Sequence, residues 1–554
     1  MTRGGGCVIY QVPLLRCVFR DRVTKPLPVA EALRRSADIV GLEFEVPTML
    51  PAVLRRLLLP IVLDALGSPP TPKHWVRRFR QGRFSDGEMA ALEDYLDRWR
   101  ERFDVCDPVR PFDQVANLRA SSGESRSAAL LVATEPTGNN VPLFGSRTEA
   151  DPLNLTVAEA TRWMFNTQCW DTAAMKTGAA GDPKVKNGKT SGNPTGPLGG
   201  MGVLIPLGTT LYETLLLNTP IGAQDRLGTP QWRREPDDPR WAGRPQWSSD
   251  YIPDGLLDLW TLQSRRIRLF PTTTHSGEVV VNRVLVTAGD RLHGGVPDWE
   301  VHTAWRLENP NQASHTCLAR PLRHVPGRRM WQGMRALLAL EATSEQVRTS
   351  ELLDQISGLK RDGLIDDRYP LRVAAVGIVY GTKSAAIEDL IHDVIPLPVA
   401  ALRGSGEAYD LVVEATSQAE ELGSAINQLS ADLRRALGAD PVPWNVGQRP
   451  SEQLLDALDP LVRRLLAGVS ADADDPAKLE AGQLAWELLA ERAVRRCAAP
   501  LFDVPPSAFL GREISSGNKT VSYKLGTAAN RFDAQIREIL PRAHHFRTSR
   551  EKTG

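Results

Sequence analysis

The sequence predicts an α+β protein in which a large mixed N-terminal domain with long loops, residues 1–400, precedes a C-terminal four-helix bundle, residues 408–554. Two observations predict this division. Helical and strand-like patterns alternate irregularly in the first part, whereas the second part carries almost only helical spacing. A chain of 554 residues is also too long for a single hydrophobic core and favours two or three domains.

The N-terminal domain shows both kinds of hydrophobic periodicity. Helical spacing predicts helices at 49–66, 86–103 and 156–170. Period-two alternation predicts strands at 202–217, 264–270, 278–287 and 371–380. The apolar run at 47–66 contains Arg55, Arg56, Pro60 and Asp64, so we expect a pair of buried helices there rather than a membrane span.

The C-terminal domain follows a hinge predicted at 399–407. Its first apolar stripe consists of Leu422, Ile426, Leu429, Leu433 and Leu437, and its second of Leu454, Leu458, Leu461 and Leu465. A third helix is predicted to begin at Asp475-Pro476, and a fourth apolar run extends from Val521 to Leu540. Four amphipathic stretches of this length predict a four-helix bundle.

Composition restricts the partners and the compartment. The net charge is +1, so a nucleic-acid partner would have to be bound by local positive charge. The six cysteines are scattered without a Cys-x-x-Cys pair, which predicts reduced, mostly buried thiols and neither a metal site nor a disulfide framework. No signal-peptide pattern is visible. We therefore expect a cytoplasmic protein with no membrane partner.

Residues 176–202 form the most unusual segment, because glycines and four lysines occur there without apolar periodicity. Such a composition is incompatible with a helix or a central strand. Glycines expose backbone N–H groups, and the lysines lie beside them. This combination suits close approach to a phosphate backbone or to the floor of a groove. The lysines are Lys176, Lys184, Lys186 and Lys189.

Within this segment, Asn187-Gly188-Lys189-Thr190 resembles the end of a P-loop. The first glycine of that motif should occupy position 183, which is Pro183, and the residues after Thr190 are unsuited to open a helix. A nucleotide-dependent enzyme that uses Lys189 and Thr190 is therefore the main alternative. A second alternative is a structural scaffold whose glycine-rich loop is a disordered linker.

The residue types that usually carry catalysis show no recognisable arrangement. The nine histidines lack metal-ligand spacing, no Gly-x-Ser-x-Gly elbow is present, and no acidic cluster of a two-metal nuclease occurs. The sequence therefore predicts a protein that is not an enzyme and that has neither a metal nor a cofactor.

Three local features are candidates for nucleic-acid contacts. The basic cluster Arg265, Arg266 and Arg268 suits phosphate contacts, although for any single cluster of this kind a solvated surface is the favoured interpretation. The loop Asn139–Arg147 places Phe144 in polar surroundings, where it could stack on a base or fold into the core. The small, polar and basic turn Tyr380–Ala385 between two strands could enter a groove or simply face solvent.

These features, taken in order, resemble the CasA family, the large subunit of the type I-E CRISPR surveillance complex Cascade. The motifs that carry the resemblance are an early helix at Leu50–Leu59, a Pro-Phe-x-Gln element at Arg110–Gln114, an Asn-Asn-x-x-Leu-Phe loop at Asn139–Phe144, and the end of a glycine loop at Gly196–Gly200. The predicted C-terminal bundle matches the last domain of the family.

The resemblance implies a non-catalytic, antiviral role. Members of the family bind at the foot of a crRNA–protein complex, read the protospacer-adjacent motif (PAM) of double-stranded DNA and help to melt the duplex for R-loop formation. They also recruit the helicase-nuclease. The implied partners are crRNA, the other Cascade subunits, target DNA and that nuclease. Some members carry a four-cysteine zinc site, and this sequence lacks those cysteines.

The resemblance also implies site residues. The glycine loop corresponds to 188–196, so Gly188, Lys189, Gly192 and Asn193 are expected to contact the PAM. The wedge hairpin corresponds to 381–384. The best-known member has a glutamine in that turn.

In this sequence the wedge turn contains Thr382, Lys383 and Ser384, with Ser384 at the glutamine position, so Lys383 is expected to act through phosphates or base edges. The family's lysine finger should lie within 288–300, where Arg291 is the candidate. Phe144 and Asn140 are expected to contact the 5′ handle of the crRNA.

Overall fold

The computed structural model describes residues 7–135, 153–235, 247, 250–307, 319–334, 347–403, 405–442, 449–516 and 519–553. It has two compact units, each built from separated segments of chain. The first comprises 1–327, 342–359 and 372–394, and the second comprises 328–341, 360–371 and 395–554. The mixture of helices and sheets confirms the predicted fold class. The predicted domain boundaries at 400 and 408 stay a prediction.

The first unit combines short helices with small antiparallel sheets. Its helices are α1 (Val29–Arg34), α2 (Met49–Val53), α3 (Leu59–Leu66), α4 (Pro72–Gln81), α5 (Asp86–Arg98), α6 (Val157–Trp170), α7 (Leu211–Leu217), α8 (Leu256–Trp260) and α9 (Glu351–Arg361). Its first strands are β1 (Leu15–Phe19), β2 (Thr24–Leu27), β3 (Ile39–Glu43), β4 (Arg126–Ser127), β5 (Leu155–Thr156), β6 (Lys176–Thr177), β7 (Lys189–Thr190) and β8 (Val203–Leu207). The remaining strands are β9 (Arg265–Thr273), β10 (Val279–Ala288), β11 (Trp305–Leu307), β12 (Ala319–Pro321), β13 (Val347–Arg348), β14 (Arg372–Tyr380) and β15 (Ile387–Pro396).

The sheets of this unit are small. Their strand orders are β2-β1-β3, β4-β10-β5 with β9 on β10, β12-β11-β13, β15-β14-β8 and β6-β7. The buried helix α6 packs against several of these elements and begins with a capping box, in which the Thr156 hydroxyl accepts from the Glu159 N–H and the Glu159 carboxylate accepts from the Thr156 N–H. The capping box fixes where the helix begins, and the helix ends at Trp170, a few residues before the glycine-rich segment 176–202.

Two sequence predictions in this unit need correction. The expected helix pair at 49–66 is one continuous buried segment, because a π-helical turn at Leu54–Leu58 joins α2 to α3. The expected strand at 202–217 ends at Leu207, since the Thr210 hydroxyl accepts from the Glu213 N–H and starts α7. Short, fully buried apolar runs have no periodicity that separates strand from helix.

The second unit consists mainly of long packed helices. Its elements are α10 (Glu407–Ala436), α11 (Pro450–Ala471), α12 (Pro476–Ala498), α13 (Ser507–Leu510), β16 (Arg512–Ser516), β17 (Lys519–Tyr523), α14 (Leu525–Ile539) and α15 (Pro541–Thr553). Helix α10 contacts α11, α12 and α14. The run from Val521 to Leu540 was expected to be one helix, but its first residues form β17, which pairs with β16.

Buried carboxylates hold the last helix onto this unit. Glu487 of α12 is fully buried, accepts from the Ala543 backbone N–H at 2.9 Å, and pairs with Arg542 at 3.1 Å. Glu491 pairs with Arg547 at 2.6 Å in the same way. A buried charge is tolerated only when it is paired and hydrogen-bonded, so α15 is an integral part of the helical unit.

The cysteine prediction is wrong for one pair. Cys7 and Cys106 form a disulfide, because an antiparallel bridge between Val8 and Asp104 brings these distant segments together. Cys17 and Cys169 are free and buried, and burial raises the pKa of these thiols to about 12 and about 11 respectively. In the part of the chain that the structure describes, no helix is long and apolar enough to cross a membrane.

Candidate nucleic-acid interface

A buried arginine organises the glycine-rich loop. Arg265 opens β9 and is 1% exposed. Its guanidinium donates to the Asp171 carboxylate at 2.5 Å and to the carbonyl oxygens of Thr172 at 3.0 Å and Pro194 at 2.8 Å. Lys176 pairs with the same carboxylate at 2.7 Å. One side chain therefore holds the start of the loop and a point near its end against the same strand.

The electrostatics of this anchor favour the charged carboxylate. Burial opposes ionisation of Asp171, but Lys176 and then Arg265 outweigh it and hold the pKa of Asp171 below its usual value. Burial lowers the pKa of Lys176, and Asp171 opposes that effect. Lys176 is therefore committed to the anchor and is not a surface cation, which removes one of the four lysines expected to face a phosphate backbone.

The middle of the loop forms a tight β-hairpin. Lys186 and Lys189 exchange two backbone hydrogen bonds of 2.9 and 3.1 Å, and the two residues between them have positive φ, 50° at Asn187 and 74° at Gly188. Asn-Gly with positive φ at both central positions is a type I′ turn. The Gly178 N–H donates to the Gly188 carbonyl at 2.8 Å and closes the ribbon.

This geometry argues against the P-loop alternative. The backbone N–H groups of Lys186 and Lys189 are used within the turn, whereas a P-loop directs such groups at phosphates. Thr190 is buried in β7 and is followed by no α-helix before α7. The linker alternative is not supported either, since hydrogen bonds hold both ends of the loop.

The second half of the loop carries the central PAM candidates. Gly192 is exposed with φ of 74°, a conformation that favours glycine. The Asn193 side chain donates to the Thr190 carbonyl at 3.1 Å and to the Ala174 carbonyl at 3.5 Å. At Gly196, an added Cβ would lie 2.4 Å from the carbonyl oxygen of Cys169. The loop therefore returns directly onto the end of α6.

The wedge candidates lie in the turn between β14 and β15. Thr382 and Lys383 are exposed, and Ser384 is half-buried. Lys383 and Ser384 have φ of 58° and 52°, which is rare for residues other than glycine and costs free energy that the surroundings must supply. The Gly381 N–H donates to the Ala386 carbonyl at 3.0 Å and closes the turn.

Two hydrogen bonds join this turn and the end of β14 to the residues between α6 and the glycine-rich loop. The Ala173 N–H donates to the Ser384 carbonyl at 2.8 Å, and the Tyr380 hydroxyl donates to the Trp170 carbonyl at 2.6 Å. The Asn193 side chain donates a hydrogen bond to the carbonyl of Ala174, the residue next to Ala173. Only Ala173 and Ala174 therefore separate the wedge turn from the Gly192–Asn193 segment. The structure thus brings the two predicted DNA-contacting elements together.

The other predicted site residues are placed less directly. Arg291 is exposed, and its carbonyl accepts from the Tyr251 N–H at 2.7 Å. Nearby, Gly289 abuts the backbone of Arg265, where an added Cβ would lie 2.5 Å from its nitrogen. The described contacts of Arg291 reach neither the hairpin nor the wedge turn. Phe144 and Asn140 lie outside the described residues.

Sequence reasoning missed the role of the paired arginines at 265 and 266, which it treated as surface candidates. Arg266 is also buried and donates to the Asp182 carboxylate at 2.7 Å. It lies over the ring of Trp247 at 5.1 Å, and Lys184 lies over the same ring at 4.6 Å. The acidic partners are remote in sequence, so only the apolar neighbours within β9 could have indicated burial.

The fold of the chain identifies its class of protein. The chain has the fold of CRISPR-associated proteins of known structure along nearly its whole length. It matches Cse1 of Thermobifida fusca with a TM-score of 0.78 and 29% identity, over 97% of this chain and 98% of that one. It matches Cse1 of Acidimicrobium ferrooxidans with a TM-score of 0.76 and 28% identity, over 98% of both chains.

The family follows from the sequence match. Residues 12–497 match the model of the CRISPR-associated protein Cse1 family, and the chain belongs to that family. The CasA/Cse1 protein of Thermus thermophilus is 28% identical over 417 residues, 74% of each chain. These findings confirm the resemblance on which the site residues were assigned.

A more distant likeness concerns fold alone. A chain in a structure titled "CRISPR RNA-guided surveillance complex" has a TM-score of 0.64 and 19% identity, over 90% of this chain and 100% of that one.

Proposed function

We propose that this chain is the large subunit of a type I-E Cascade complex in the cytoplasm. It assembles with crRNA and the other Cascade subunits, recognises the PAM in double-stranded DNA, promotes duplex melting and R-loop formation, and recruits the helicase-nuclease. It performs no catalysis itself. Membership of the Cse1 family supports the place in the complex, and the surveillance-complex structure of similar fold is consistent with it.

One observation carries the proposal: the backbone hydrogen bond between Ala173 and Ser384 joins the wedge turn to the residues directly before the glycine-rich loop, where Asn193 also donates to the Ala174 carbonyl. Reading a flanking motif and opening the adjacent base pairs are coupled only if both elements meet the same few base pairs. The minor groove is narrow, so glycine backbone approaches it where side chains would clash. A wedge beside it unstacks a step at a cost of about a few kcal/mol.

The proposal assigns each predicted residue a role. Gly192 and Asn193 approach the groove floor, and Gly188 and Lys189 lie at the hairpin turn of the same loop. Thr382, Lys383 and Ser384 form the wedge. Guide pairing replaces one duplex by another of similar stability, so modest protein contacts decide whether the duplex opens.

Three further residues have proposed roles away from this pair of elements. Arg291 takes the place of the lysine finger, and Phe144 with Asn140 contacts the crRNA handle.

The test is duplex binding by the reconstituted crRNA complex, with and without this chain, on targets that differ only in the flanking motif. The proposal expects tight binding only when both the chain and the motif are present. Binding that is indifferent to the chain would contradict it. The nucleotide-binding alternative is measured separately, by titrating ATP and GTP onto the isolated protein.

The wedge role gives a specific prediction for Lys383. Lys383→Ala should weaken binding to motif-bearing duplex several-fold and spare binding to a target whose protospacer is already single-stranded, because only the duplex must be opened. The measurement is the ratio of the two dissociation constants. Lys383→Asn is the matched variant, since asparagine tolerates the left-handed backbone and removes only the charge. Equal losses on both targets would exclude a wedge.

A further inference from the structure

The hairpin within the glycine-rich loop places two lysines face to face. Lys186 and Lys189 are direct cross-strand partners, because each donates its N–H to the carbonyl of the other. Partners in such a pair project from the same face of the ribbon, with Cα atoms about 5.5 Å apart. Like charges directly opposite each other destabilise a β-ribbon. The folded chain therefore carries a repulsive pair at an exposed turn.

No described carboxylate compensates this pair. Both lysines are exposed, and no ion pair joins either of them to an acid in the part of the chain that the structure describes. The nearby acid Asp182 is buried and committed to Arg266. Asp171 is committed to Arg265 and Lys176 at the anchor.

The segments beside the hairpin leave the positive excess intact. The neighbouring segment 119–124 contributes one exposed arginine and one exposed glutamate, which cancel. Lys184, at the base of the hairpin, lies over the Trp247 ring and adds a third exposed cation. Among the residues that the structure describes, no carboxylate therefore pairs with Lys186 or Lys189, and the exposed face of the hairpin carries a positive excess.

We propose that the Lys186–Lys189 pair is a phosphate clamp for the backbone of the target duplex, an inference that rests on the proposed function. Two ammonium groups on flexible stems, held on one rigid turn, match successive phosphates of a strand and replace their counterions. Contacts of this kind position the protein and carry no sequence information. Duplex DNA is the partner because the hairpin shares the Arg265 anchor with the segment proposed to enter the minor groove.

The clamp predicts a particular salt dependence. In the reconstituted complex, the double variant Lys186→Gln with Lys189→Gln should bind motif-bearing and motif-free duplex more weakly by the same factor. The slope of log K against log salt should become shallower by about 1.8, since each lost phosphate contact removes about 0.9. The ratio of affinities for the two duplexes should not change. Lys25 of β2 is an exposed lysine and provides the control. Lys25→Gln should leave the slope of log K against log salt unaltered for both the motif-bearing and the motif-free duplex.

A second variant separates the clamp from a structural role. Lys186→Glu creates a cross-strand ion pair with Lys189, so the melting temperature should stay equal or rise while duplex affinity falls. An unchanged salt slope in the double variant, or loss of crRNA from the purified complex, would overturn the clamp. If the unaltered complex shows no preference for the motif, the proposed function fails, and the slope measured on motif-free duplex still decides the clamp.

Discussion

At the scale of single residues, buried charges in the first unit explain why certain polar side chains are tolerated in its core. Arg55 donates to both carboxylate oxygens of Glu300, at 2.6 and 2.8 Å, and to Nδ1 of His302 at 3.0 Å. The side-chain amide nitrogen of Asn218 donates to the carbonyls of Pro206 and Thr214. Its amide oxygen therefore faces His302 Nε2 at 3.2 Å and accepts a hydrogen bond from it. His302 is therefore neutral with its proton on Nε2.

This network gives a pH prediction. Burial lowers the pKa of His302, and burial also lowers the pKa of His324, whose Nε2 bonds the Val203 carbonyl. As the pH falls through about 6.5, these histidines bind protons in the unfolded chain but not in the folded chain. The free energy of unfolding therefore keeps its full contribution from them above that pH and decreases below it. Each such histidine steepens the loss by up to about 1.4 kcal/mol per pH unit.

Between pH 6.5 and 5, the variant His302→Gln should remove about one proton from the difference in proton uptake between the unfolded and folded chains. The slope of stability against pH then falls by up to about 1.4 kcal/mol per pH unit. Glutamine keeps an oxygen that accepts from Arg55. The measurement is the free energy of unfolding from urea titrations at several pH values. The exposed His275 supplies the control, since His275→Gln should leave the slope unaltered. Equal slopes for the His302 variant and the unaltered chain would show that His302 titrates normally in the folded state.

At the scale of elements, the close approach of the glycine-rich loop 176–202 to the end of β14, directly before the wedge turn, depends on Gly199. An added Cβ there would lie 2.4 Å from the Tyr380 hydroxyl oxygen and 3.0 Å from Thr195. The tyrosine is already bonded to the Trp170 carbonyl, and burial raises the pKa of its hydroxyl. At the neighbouring Gly200, nothing lies within 4 Å of an added Cβ. The two adjacent glycines thus form a matched pair.

We expect Gly199→Ala to cost about 1–3 kcal/mol of stability through overpacking, and Gly200→Ala to change stability by no more than about 0.5 kcal/mol. Thermal unfolding of both variants measures the difference. Tyr380→Phe removes the clashing oxygen, so it should partly restore the Gly199→Ala variant. Independent, additive effects of the two substitutions would contradict a direct clash.

The same scale shows what sequence could predict. The leucine stripes located the helices of the second unit, since Leu422, Leu454 and Leu458 are fully buried in α10 and α11. The second stripe was wrong beyond Leu458, because the buried residues there are Val462 and Leu466, while Leu461 and Leu465 are half-buried. The period-two patterns at 264–270, 278–287 and 371–380 located β9, β10 and β14. In contrast, β17 forms because it pairs with β16, and the helical spacing of the apolar residues from Val521 to Leu540 does not reveal that pairing.

The candidate site was predictable only where composition marks it. Glycines and lysines identified the loop, and a short polar turn between strands identified the wedge. The anchor was not predictable, because the bonds of Arg265 to Asp171 and Pro194 join residues far apart in sequence. The left-handed backbone at Lys383 and Ser384 also escaped notice, since neither residue type favours that conformation.

At the scale of the whole molecule, each compact unit is assembled from non-contiguous chain. After Gly327 the chain enters the second unit, where Arg328 pairs with Glu420 of α10 and Arg329 pairs with Asp456 of α11. In the same short segment, Trp331 is fully buried and its indole N–H donates to the Asp459 carboxylate at 2.9 Å. A short piece from the middle of the sequence therefore completes the helical unit.

This arrangement predicts that Trp331→Ala destabilises the helical unit, although the residue is remote in sequence from the helices α10, α11 and α12 of that unit. Loss of a fully buried tryptophan costs about 3–5 kcal/mol, and the Asp459 carboxylate loses a donor at the same time. Hydrogen exchange of the amides of α11 in the full-length chain should accelerate, while those of β9 and β10 stay protected. Arg328→Ala is the control, because its exposed ion pair is worth at most about 1 kcal/mol. Unaltered exchange in α11 would mean that residues 328–334 rest on the helices without stabilising them, and that the helical unit is complete in sequence after residue 395.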